Sequence, residues 1–74
     1  MYEVRAEMDA SVWRVLVSEG DAVSRGDAIV VLEVMKMEIP VETHLAGVVT
    51  SLAVREGDLV RKGGLLAVVS SAEV

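Results

Sequence analysis

The 74-residue sequence has no cysteine and no phenylalanine, and only one each of proline, tryptophan, tyrosine and histidine. The missing cysteine excludes disulfide staples, thiolate nucleophiles and cysteine-ligated zinc. With His44 as the sole histidine, no His-based metal site or triad can be assembled; it is assigned a loop or strand-end place and no role. Basic residues are few as well. Seven Lys and Arg against twelve Asp and Glu leave a net charge of −5, without a cationic cluster to track phosphates, so nucleic acid is not an expected partner. No apolar run approaches the ~20 residues of a membrane span, so no membrane partner is expected. The opening Met1-Tyr-Glu-Val-Arg-Ala-Glu7 has neither the charged start nor the apolar stretch of a signal peptide, and the expected location is cytoplasmic.

What is present is aliphatic and β-branched. Sixteen residues are valine and 53% of the chain is hydrophobic, a composition that favours strands over helices. The length is roughly half that of a typical domain, so residues 1–74 form one domain with no second core, and a multi-domain enzyme is excluded. Packing alone rarely leaves a chain of this size more than about 3–5 kcal/mol, which argues for a regular architecture. Met1 lies close to the first expected strand and Val74 just past the last, which fits a free-standing subunit, monomeric when isolated.

An internal repeat organises the chain. Shifted by 37 residues, Ser11–Asp27 overlies Val48–Gly64, with identical pairs that include Val12/Val49, Val17/Val54, Glu19/Glu56, Gly20/Gly57, Asp21/Asp58, Val23/Val60 and Gly26/Gly63. Each half reads as a strand (11–17 or 48–54), a Glu-Gly-Asp turn, two residues of passage, a second Gly-containing turn and another strand (28–34 or 65–69). Shorter strands are expected at Tyr2–Arg5 and Glu38–Thr43, giving about four strands per half. The set Trp13, Val15 and Val17, with its counterparts Thr50, Leu52 and Val54, is expected to face the core, with Trp13 its largest residue. No Gly-free segment of ten residues carries a helical apolar period. The expected fold is therefore all-β: a flattened antiparallel barrel or sandwich of two four-stranded sheets with a pseudo-twofold repeat. The carboxylates Glu19, Asp21, Glu56 and Asp58 are paired by the repeat rather than converging on a cleft, so they read as turn caps and not as catalytic acids.

The junction of the halves is Met35-Lys36-Met37. It should form a hairpin at one end of the domain, with both termini near the other. Lys36 and Lys62 are the only lysines; Lys62 overlies Arg25 and reads as a solvated turn cation. Two readings of the junction compete. The methionines could face the core with Lys36 outward, as a strand produces without any functional reason. Alternatively all three are presented at a tip, which requires non-glycine residues at positive φ, because the segment lacks the Asn-Gly that two-residue turns favour.

Glu33-Val-Met-Lys-Met-Glu38, preceded by Ile29-Val-Val-Leu32 and followed by Ala46-Gly-Val-Val49, resembles the biotinyl domain of biotin carboxyl carrier proteins. The resemblance runs from about Val4 to Val69 and includes the Glu-Gly-Asp and Arg-Gly-Asp turns. It implies a carrier and not an enzyme, with no catalytic residues: Lys36 holds biotin in amide linkage, Met35 and Met37 flank it for recognition, and Glu33 and Glu38 either serve ligase recognition or keep an edge soluble. The implied partners are a biotin protein ligase, a biotin carboxylase and a carboxyltransferase acting on an acyl-CoA or keto acid. Lipoyl domains usually carry Asp-Lys-Ala at this place, so Met35 and Met37 speak against that alternative; an unmodified interaction module of a carboxylase is the other. The sequence departs from the pattern at Val34, where alanine is usual, at Met8-Asp-Ala10, at His44, and in lacking the protruding thumb that some bacterial carriers insert before the first Gly-Asp turn.

Overall fold

The computed structural model describes residues 1–71, in eight strands: β1 (Tyr2–Arg5), β2 (Ala10–Val15), β3 (Ala22–Val23), β4 (Ala28–Val34), β5 (Met37–Glu42), β6 (Gly47–Leu52), β7 (Leu59–Val60) and β8 (Leu65–Ser71). They form two four-stranded antiparallel sheets, ordered β1-β8-β6-β3 and β5-β4-β2-β7. A shift of 37 residues, forward for strands of the first half and back for those of the second, converts one sheet into the other strand by strand. The two passages between turns are the two-residue strands β3 and β7. Each sheet mixes strands of both halves, so neither half is a sheet by itself, and the repeat units interlock rather than stack.

The core lies between the sheets and is aliphatic. Ile29 and Leu66, Val12 and Val49, Val30 and Ala67, and Leu32 and Val69 are repeat-related pairs, and all are buried. The expected inward set needs correction at its first members. Trp13 is 40% exposed and Thr50 is exposed, whereas Val12 and Val49, expected to face outward, are buried. The cause is a β-bulge in each strand. Across β2 and β4, Val12 faces Leu32 but Arg14 faces Val31, leaving Trp13 unpaired; across β6 and β8, Val49 faces Val69 but Ser51 faces Val68, leaving Thr50 unpaired. One inserted residue reverses the in–out phase, so Val12 points inward before the bulge and Val15 and Val17 pack on the core after it.

The Glu-Gly-Asp turns anchor these bulged strands across the twofold. Glu19 Oε2 accepts from the Leu52 amide at 3.0 Å, and its counterpart Glu56 Oε2 accepts from the Val15 amide at 3.2 Å. The Gly20 and Gly57 amides donate to the carbonyls of Val49 and Val12 at 2.7 and 2.8 Å. Asp21 and Asp58 cap their own turns by accepting from the Ser18 and Arg55 amides. The acidic residues thus satisfy backbone donors and form no cleft.

Gly20 and Gly57 hold φ at 94° and 93°, a region costly for a β-branched residue. A β-carbon at either position would meet no atom, so the penalty is conformational alone. Gly20→Val and Gly57→Val should each cost about 1–3 kcal/mol, read as lower midpoints in thermal or urea unfolding.

Candidate functional site

β4 and β5 are joined by two residues. Glu33 faces Glu38 and Val34 faces Met37, so Met35 and Lys36 alone form the turn. Both have positive φ, 51° and 66°, the left-handed pair that a hairpin needs to match strand twist and that Asn-Gly ordinarily supplies. They are the only non-glycine residues at positive φ among the described residues. The reading in which the methionines face the core is overturned. Met35 is 90% exposed and Met37 62%, and Lys36 is exposed. By strand parity Met37 and Val34 lie on the side that lower down faces the core, but at the tip the opposite sheet no longer covers Met37.

Among the described residues no hydrogen bond or ion pair engages the Lys36 amine, so it stands free in solvent on a turn of defined shape. Lys62 is exposed too, but lies in the turn after β7, where its backbone amide donates to Asp9 Oδ1 at 2.8 Å. Residues 72–74, which carry the C-terminal part of the expected chain-end arrangement, lie outside the described residues; β1 and β8 do place Tyr2 opposite Val69.

Glu33 and Glu38 are directly opposed on the outer face, one residue pair below the turn. Like charges so placed repel, and among the described residues the one ion pair, Arg5–Glu3, lies elsewhere. His44 follows β5 in a bend and stacks on Tyr2, with ring centroids 5.7 Å apart.

Positive φ at Met35 is avoidable strain. Met35→Asn, which tolerates the left-handed region, should stabilise the domain by about 0.5–1 kcal/mol, a rise of several degrees in Tm by calorimetry. An unchanged or lower Tm would show that the turn is not strained.

An exposed lysine, unpartnered among the described residues, at the tip of a strained hairpin on a pseudo-twofold sandwich of two four-stranded sheets defines a class: swinging-arm attachment domains. The biotin-requiring enzyme family model, covering biotin and lipoyl attachment domains, matches residues 3–69. A Mycobacterium leprae biotinylated protein TB7.3 homologue is 53% identical over 68 residues, 92% of this chain and 96% of its own length. The alpha3 subunit of a biotin-dependent acyl-coenzyme A carboxylase of the same organism is 48% identical over 64 residues, 86% of this chain but 11% of the subunit. In the crystal structure of Kluyveromyces lactis urea carboxylase, a region at 30% identity superposes with a TM-score of 0.87 over 93% of this chain and 6% of that one. The chain belongs to the biotin-requiring family and is a biotinyl domain.

Proposed function

We propose that the protein is a biotin carrier, modified at Lys36 and serving a biotin-dependent carboxylase without catalysing a step itself. The observation that carries this reading is the turn: Met35 and Lys36 at positive φ, with the amine engaged by no other group among the described residues. A primary amine is the nucleophile for an activated biotinyl acyl group; the Nζ–C bond forms as the activating group leaves and the amine gives up a proton. Among the described residues no base hydrogen-bonds Nζ, so activation and proton acceptance fall to the ligase. The residues present fit the group, since the turn holds Lys36 clear of the body and Met35 and Met37 offer soft apolar contact to successive partner surfaces.

Bound biotin supplies a ureido nitrogen that takes up and surrenders a carboxyl group. The chain supplies delivery: a rigid body, a defined tip and an effective concentration of roughly millimolar at successive sites, without a tight complex that delays release. Glu33 and Glu38, opposed without a cation between them, present a doubly negative patch beside Lys36 to a cationic ligase surface. The acceptor is an acyl-CoA or keto acid, and the working location is the cytoplasm.

The carrier step is tested with radiolabelled bicarbonate. The biotinylated chain, incubated with MgATP and the biotin carboxylase of the same organism, should acquire acid-labile label; a biotinylated chain that stays unlabelled contradicts the role.

A further inference from the structure

The repeat makes the fold its own control. Besides Met35 and Met37 at the turn itself, three large apolar residues are solvent-exposed on the turn-bearing half of the sandwich: Trp13 at 40%, Leu16 at 48% and Leu59 at 86%. Their counterparts 37 residues away are Thr50, Ala53 and Ala22, all exposed. The same backbone positions therefore fold with small or polar residues, and packing does not require the large ones. All three belong to one face. Leu59 pairs with Ser11, which faces Glu33; the Trp13 bulge adjoins Arg14, which faces Val31; Leu16 continues β2, its amide bonded to the Ile29 carbonyl. The Arg14 guanidinium lies 4.8 Å from the Trp13 ring centroid, which helps hold the indole in place.

This face is the outer surface of the β5-β4-β2-β7 sheet and is continuous with the hairpin. At about 3.3 Å per residue and 4.8 Å per strand, Leu59 and Trp13 each lie roughly 14 Å from the Lys36 position. Both fall within the roughly 800 Å² that one partner buries in an interface of standard size. Glu33 and Glu38 stand between the patch and the turn, and the chain carries −5 overall. A second copy would bring like charge, so the complementary surface is an apolar pocket with a cationic rim.

Resting on the carrier reading above, we propose that this face docks the biotin protein ligase, with Trp13, Leu16 and Leu59 seated in an apolar pocket and cations of the rim meeting Glu33 and Glu38. The ligase is the occupant because it alone acts before the arm exists. It must bring Nζ itself to the activated acyl group, pressing against the sheet beside the turn, and must reject Lys62, which is exposed as well. Enzymes acting on the attached ring meet it a full arm's length away.

The experiment measures initial biotinylation rates with purified ligase, ATP and biotin. Trp13→Thr/Leu16→Ala/Leu59→Ala installs the residues of the other half; its kcat/KM should fall about tenfold or more, through KM and with kcat unchanged. Thr50→Trp, which places an indole on the opposite sheet, should leave kcat/KM at the parental value, and added salt should lower it for the parent. If the triple variant melts early, Leu59→Ala alone, at a solvent-facing position, still lowers kcat/KM. Parental kcat/KM in the folded variants overturns the proposal while leaving the carrier reading intact; so does normal biotinylation followed by failed carboxylation, which assigns the face to the carboxylase. An unaltered chain that takes up no biotin overturns both.

Discussion

Lys36→Arg should take up no biotin and should unfold at the same temperature as the parent. The guanidinium keeps the positive charge and is as well solvated at the tip as the ammonium it replaces, but it stays protonated and delocalised and cannot attack an acyl group. Stability is unaffected because the Lys36 side chain contributes no hydrogen bond, ion pair or core contact among the described residues. Lys62 does not substitute. Its turn follows the short strand β7 and bears none of the Met35, Met37, Glu33 and Glu38 surroundings, so Lys62→Arg should retain full biotinylation. Intact mass and a thermal melt of both variants check the pair. Residual biotin on Lys36→Arg, or a large drop in its Tm, contradicts a purely presentational role for this residue.

Gly47→Ala is expected to remove most of the stability of the domain. Gly47 begins β6, an inner strand of its sheet, and is paired on both sides, with Val23 of β3 and Ser71 of β8. A β-carbon there would overlap the Ser70 carbonyl oxygen, and because the obstacle is backbone, a strand must move rather than a side chain. The repeat counterpart is Ala10, which does carry a β-carbon. The difference is local. β6 and β8 remain paired through Gly47 and Ser71, whereas pairing of β2 with β4 begins only at Ser11 and Glu33, so no neighbouring carbonyl crowds Ala10 in the same way. Overpacking of this kind costs about 3 kcal/mol, at or beyond the upper end of the usual range, against a total of about 3–5 kcal/mol for a chain this small. At roughly 4–8 °C per kcal/mol, Tm should fall by more than about 12 °C in a circular dichroism melt. A fall of only a degree or two would show that β6 and β8 separate easily at this end.

The repeat makes the larger architecture legible in the sequence. Glu-Gly-Asp at 19–21 and 56–58 marked the turns, valine-rich runs marked the strands, and the half-length shift singled out Met35-Lys36-Met37 as the one junction without an internal counterpart. What strict alternation concealed was the bulge. Val12-Trp-Arg-Val15 and Val49-Thr-Ser-Leu52 both place inward residues three apart instead of two, a break repeated in both halves and so readable in principle. Taken as unbroken strands, they put Trp13 inside, where the structure turns it out. The interlocking of the halves was hidden for a different reason: sheet partners such as Val4 and Ala67 are distant in sequence, and periodicity carries no information about who pairs with whom. The reach of Glu19 and Glu56 across the twofold is invisible for the same reason, although their strict equivalence was already on view. At the site, the sequence shows that a tight turn here would strain non-glycine residues, and in the structure Met35 and Lys36 both hold positive φ.

The most direct measurement is the intact mass of the chain expressed with a biotin protein ligase and free biotin, followed by peptide mapping of the modified lysine. One biotinyl group at Lys36 and none at Lys62 is the predicted result. A lipoyl mass, biotin at Lys62, or no adduct on a folded chain would contradict the carrier role assigned to Lys36.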